Sequence, residues 1–213
     1  ASDVYKRQFL TIEPAVVVKF TSGTNLVIDG SLIAQGNSTH KITFTSNATT
    51  PTPGDWGSIK MHAAPPLIPL ADLSYLIVEY GSTGINFESG YKTCTITNST
   101  FSFNLVGLRV YGYDVGGERD WFMNNCEISN NTDCGVFIDW AATLKVRKSL
   151  FSRNGQGFSG NYGGLVMYDC NVTNNLGPGF SATSPSAIEI HNSRISNNNG
   201  CGICNLAFGS TII

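Results

Sequence analysis

The sequence predicts an all-β solenoid: a right-handed parallel β-helix with three short strands in each coil of about 22 residues. Three observations carry this. The first is a repeat of nearly constant length. From Leu73 onward a central apolar position recurs at Val78, Phe101, Ile128, Phe151, Val172 and Ile195, in steps of 23, 27, 23, 21 and 23 residues. The second is the residue types. Five residues before each centre stand Leu73, Ile96, Met123, Val146, Met167 and Ile190, and a third apolar column runs Ile85, Leu108, Val136, Phe158, Phe180, Ile203. These columns mix β-branched, aromatic and Met residues, which suits strands better than a leucine-rich repeat. The third is the polar phrase between the columns. Three residues after the centre come Asn104, Asn131, Asn154, Asn175 and Asn198, with Gly81 opening the column, and a Gly precedes each residue of the third apolar column. Asn tolerates the left-handed backbone of a tight bend, and its amide can bond to the Asn one coil away. Gly supplies a positive φ or a close approach at the next corner.

Taken in order, the chain opens with Ala1 to Gln8, which resembles the translation of a sequencing adapter and is set aside from fold reasoning. The last residues, Thr211-Ile212-Ile213, read as the start of a further strand, so the chain is expected to be a β-helix fragment truncated at both ends. Open strand edges would then favour aggregation. Residues 9–213 read as a single β-helix domain. Phe9–Ile12, Val16–Phe20, Leu26–Ile28, Leu32–Ala34 and Ile42–Thr45 are strand-like runs parted by turn residues such as Pro14, Gly23 and Gly30. Two irregular stretches, 47–55 and 63–72, are rich in Thr or Pro and read as loop excursions. No stretch holds a period of 3.6, so almost no helix is expected.

Bulk properties exclude several classes. Only 13% of residues are charged, but 41% are hydrophobic and regularly spaced, which argues against disorder. A net charge of −2 without a basic run gives nothing to neutralise phosphates, so no nucleic-acid partner is expected. The apolar runs are too short to insert into a membrane.

The coils carrying these columns resemble the pectin-lyase-like superfamily of right-handed β-helices. The opening, from Leu10-Thr11-Ile12-Glu13-Pro14 through Gly30-Ser31-Leu32-Ile33-Ala34-Gln35-Gly36 to Gly54-Asp55-Trp56-Gly57-Ser58-Ile59, resembles large extracellular β-helix proteins such as bacterial surface exoproteins and the bark-beetle family. The resemblance spans residues 9–213. It implies an extracellular or cell-surface location, with a polysaccharide or glycoprotein as partner. The superfamily holds lyases, hydrolases, epimerases and adhesins, so it leaves activity open. The favoured reading is a non-catalytic segment serving in adhesion, as scaffold or in glycan binding. The alternative is a polysaccharide lyase or a related carbohydrate-active enzyme.

Candidate chemistry sits mostly on one outer face. With Leu108 and Val136 inward, alternation turns Arg109, Tyr111, Phe137 and Asp139 outward. Glu88 joins them one coil earlier, and Trp140, Tyr113 and Tyr162 lie nearby. Glu88 and Asp139, two coils apart, are separated by roughly 9–10 Å with Tyr111 between. Carboxylates, an Arg and aromatic faces suit a sugar. The ligand-binding candidates are therefore Glu88, Arg109, Tyr111, Phe137, Asp139 and Trp140. No catalytic or metal-binding residue is assigned and no cofactor is expected. Only under the lyase alternative would the carboxylates hold Ca2+, with Arg109 as base. Asn131-Thr132-Asp133 resembles a polygalacturonase motif. The neighbouring coils supply no partner carboxylate, however, and glycoside hydrolysis needs two. Asp133 is thus expected to be a turn residue.

The six cysteines are expected to be mostly free, packed thiols. Cys126 and Cys170 share a column with Ser149 between them, roughly 9–10 Å apart and beyond disulfide reach. Cys134 and Cys201 fall three coils apart. Cys201-Gly202-Ile203-Cys204 has redox or metal-ligand spacing but no second pair or nearby His. Ser99, Cys126, Ser149, Cys170 and Ser193 read as small residues filling a narrow corner. Glycosylation triplets begin at Asn37, Asn47, Asn98, Asn130 and Asn171, a number near chance for a chain this rich in Asn, Ser and Thr. His40, His62 and His191 are scattered and suggest no metal site.

Overall fold

The computed structural model describes residues 9–62, 70–89, 93–111, 120–140, 143–182, 188–204 and 211–212. Among these residues the chain is all strand, turn and bend, with no helix. It winds into three parallel sheets of nine, eight and eight strands, each sheet taking every third strand. The first sheet starts at Phe9–Ile12, the second at Val17–Phe20 and the third at Leu26–Ile28. Later strands then join the three sheets in turn, three to a coil. The expectation for residues 1–8 lies outside the described residues.

The register is the one the columns predict. Val78, Phe101, Ile128, Phe151, Val172 and Ile195 pair in succession across the second sheet. Leu73, Ile96, Met123, Val146, Met167 and Ile190 do so across the first. A one-residue slip would turn every apolar side chain to solvent, so the alternating pattern holds each strand in place. Phe101, Ile128 and Phe151 are fully buried, whereas Ile195 and Ile203 are only partly covered. Among the described residues a register shift occurs between Met61 and His62.

The corner between the second and third sheets is built by the Asn column. Asn104, Asn131, Asn154 and Asn175 are buried, and each donates from Nδ2 to Oδ1 of the Asn one coil on, ending at Asn198, at 2.8–3.1 Å. The physical reason differs from the expected one. The ladder residues do not take the left-handed backbone; the residue before each one does. Phe103, Asn130, Arg153, Asn174 and Asn197 have φ between 56° and 57°. The bend places the next side chain inside, where an amide both donates and accepts along the axis. The Gly column likewise acts by close approach and not by positive φ. A Cβ on Gly135 would lie 2.7 Å from the carbonyl oxygen of Gly157, one coil away.

The corner between the first and second sheets carries a second ladder, of Ser and Cys. Ser149 Oγ donates to the Arg147 carbonyl and accepts the Cys126 backbone N–H. Cys170 and Ser193 repeat the pattern. These residues bond as well as fill space.

Residues 47–55 lie between the strands Ile42–Ser46 and Ile59–His62. Asp55 holds this excursion by accepting from Thr52 and from Ser46 Oγ, and those bonds keep its carboxyl below the usual range. Next to it Trp56 is fully buried, stacked on Phe20 at 4.1 Å. Of the second expected excursion, 63–69 lies outside the described residues, and Leu70, Ala71 and Asp72 correct the boundary: they belong to the strand Leu70–Ser74. Pairing with Leu32–Gln35 and Thr93–Thr97 on either side extends that strand back toward the prolines.

The cysteine expectation needs one correction. Cys201 and Cys204 form a disulfide, their Cα atoms 5.7 Å apart. A bend at Gly202, just before the strand Ile203–Cys204, brings the two cysteines together where strict strand alternation would not. Cys94, Cys126, Cys134 and Cys170 are free and buried.

Candidate functional site

The outer face of the third sheet gathers the candidate binding residues. Along Val106–Tyr111, Leu108 and Val110 are fully buried while Arg109 and Tyr111 turn outward. Along Cys134–Asp139, Val136 and Ile138 are buried and Phe137 and Asp139 take the outer face. The register then sets Arg109 beside Phe137, Tyr111 beside Asp139, and Asp139 beside Asn161.

The polar contacts are specific. The Arg109 guanidinium lies over the Phe137 ring, 5.2 Å from its centroid, and Nη2 is 4.0 Å from Asp139 Oδ2. Asp139 is only 7% exposed although it faces outward, and its Oδ1 is buried without a hydrogen-bond partner. A buried carboxylate oxygen without a donor is costly and has spare capacity to accept. Glu88 accepts from Asn86 Nδ2 at 3.2 Å, and Asn86 pairs with Arg109 across the sheet. Trp140 stands at the end of the strand in a left-handed conformation, half exposed, with the exposed Tyr162 ring 5.8 Å away on the next coil. The structure thus brings together Arg109, Tyr111, Phe137 and Asp139, with Trp140 at their edge and Glu88 bonded to Asn86. Tyr113 lies outside the described residues. Asp133 is exposed on a corner, its backbone N–H tied to the Leu105 carbonyl. Among the described residues no group of three or more His, Cys, Asp or Glu is placed to hold a metal ion.

A family model described as a right handed beta helix region matches residues 71–213. The chain belongs to that family. No curated protein and no solved structure matches it.

This right-handed β-helix protein presents a second set of outward groups that sequence reasoning missed, on the first sheet. Lys145 lies over Phe122 at 5.1 Å. On the neighbouring column Arg147 lies over Tyr168 at 5.0 Å, and Tyr168 stacks on His191 at 4.5 Å and 9°. Each of these three residues follows an inward residue of the first-sheet column, Val146, Met167 or Ile190, by one position. The repeat therefore holds the signal, at the position after each inward residue of the first sheet. Asn161 is likewise placed beside Asp139, on the next coil, by the register.

Proposed function

We propose that this β-helix protein is a non-catalytic extracellular or cell-surface module. In this reading it binds glycans through the outer face of its third sheet and serves in adhesion or as a scaffold. The observation that carries the reading is the exposed Trp140–Tyr162 ring pair next to Asp139 and Arg109. Two flat rings offer apolar faces to a sugar, and the charged groups beside them suit its hydroxyls. The disulfide between Cys201 and Cys204 supports an oxidising compartment. Likeness to extracellular surface proteins of the pectin-lyase-like superfamily is part of the same proposal.

The Arg109 guanidinium lies over the Phe137 ring and beside the Asp139 carboxylate, contacts that suit a binding residue. The test is a glycan array followed by titration. Trp140→Asn, which keeps a residue tolerant of the left-handed backbone, should weaken glycan binding about tenfold. Asp139→Asn should weaken it as well. Unsaturated products released from pectate or alginate, and lost on Arg109→Ala, would replace the proposal with the lyase reading.

A further inference from the structure

At the corner between the first and second sheets the chain turns through a left-handed residue once per coil: Tyr75, Asn98, Asn125, Lys148, Asp169 and Asn192, with φ of 46° to 55°. The backbone N–H of the first five donates to a carbonyl of the following coil. The coil stack therefore satisfies the main chain and leaves these side chains to point outward, where they range from half-buried to exposed. Two depressions run along this corner and join at Asp169 and Asn171. The first reaches back to Ser38 and Lys41, the second forward to Arg194. The buried Ser/Cys ladder forms part of the floor, and Thr100, Glu127 and Leu150 form one wall.

We infer that this groove is a binding site for a neutral, linear polysaccharide lying along the solenoid axis. It is separate from the third-sheet site and does not depend on it. Three features support this. The first is length. From Lys41 to Asn192 the column takes six coil steps of ~4.8 Å, about 29 Å in all. The second is period. The lining repeats once per coil, a step close to the length of one sugar unit, whereas an extended peptide repeats every ~3.3 Å and would fall out of step. The third is polarity. Amides and hydroxyls dominate the lining. Asn125 donates to Asn98 at 2.6 Å and Asn192 donates to Asp169, which fixes the amides in place. The cations Lys41, Lys148 and Arg194 are nearly balanced by Glu127 and Asp169, so neither a polyanion nor a polycation is favoured. Tyr75 and Leu150 add apolar contact.

Titration of the folded chain with size series of neutral gluco-, manno- and xylo-oligosaccharides, against oligogalacturonate, tests the site. At least one neutral series should bind, its affinity rising with length up to about six units, one per coil step. Leu150→Trp fills the groove at an outward strand position and should weaken binding about tenfold. If that variant fails to fold by circular dichroism, Asn125→Asp, which keeps the left-handed turn, should produce the same loss. No neutral series binding, affinity flat with length, or stronger binding of the acidic series would overturn the inference. So would binding that survives Leu150→Trp but is lost in Trp140→Asn, which belongs to the third-sheet site.

Discussion

Asn154 uses every polar atom of its amide. Its Oδ1 accepts from the backbone N–H and Nδ2 of Asn131, and its Nδ2 donates to Asn175 Oδ1 and to the Ile128 carbonyl. Replacing it with Ala would orphan groups on both sides in a fully buried corner. Asn154→Ala should therefore cost about 2–4 kcal/mol by urea denaturation. Asn198→Ala, at a half-buried position, should cost clearly less, because water can reach the groups left behind. Equal costs at the two positions would mean that burial does not set the strength of the ladder. The column itself was legible as a spacing. Its reason was not, because sequence does not say which residue of Asn130-Asn131 or Asn174-Asn175 takes the bend. At Arg153 and Phe103 the bend falls on residues with no special liking for it, since the coil stack imposes it. Asp139 shows the same limit. Alternation predicts that it points outward, and its burial comes from neighbours on adjoining coils.

Among elements, the Ser/Cys corner shows how a repeat hides chemistry. Ser and Cys alternate down it because either side chain can donate back to the carbonyl two residues earlier. Burial then raises the thiols, to about 12 for Cys126 and Cys134 and about 11 for Cys170, and higher still for Cys94. Without reductant, a thiol reagent at neutral pH should find no reactive cysteine in the folded chain. It should find four after unfolding, and six once Cys201–Cys204 is also reduced. Six in the unfolded, unreduced chain would refute the disulfide. The sign of the pH effect follows. The folded thiols keep their protons to higher pH than the unfolded ones, so stability should fall as pH rises past the ordinary thiol value of about 8.5. The strand Leu70–Ser74 makes a related point. In the sequence Pro65, Pro66 and Pro69 suggest an irregular stretch, but they do not show where pairing with neighbouring coils resumes.

For the molecule as a whole, each coil rests only on the coils before and after it, so stability is shared between neighbours along the axis. Hydrogen exchange should be slowest in the strands around Phe101, Ile128 and Phe151, whose columns are fully buried. It should be faster at Arg194–Ser196 and Ile203–Cys204, where burial is partial, and at the exposed strand Phe9–Ile12. Uniform protection along the axis would argue for one cooperative unit instead. By itself the sequence determined the coil length, the three inward columns, the register and the outward placement of Arg109, Tyr111, Phe137 and Asp139. All of these follow from a strand period of two and a coil repeat that aligns like residues. Only the tertiary structure decided which outward groups meet. It set Arg109 over Phe137 and beside Asp139, stacked Arg147, Tyr168 and His191, closed the Cys201–Cys204 bridge and opened the groove along Asn98 and Asn125. Those contacts depend on side-chain direction and on how each corner turns, and neither is written in the repeat.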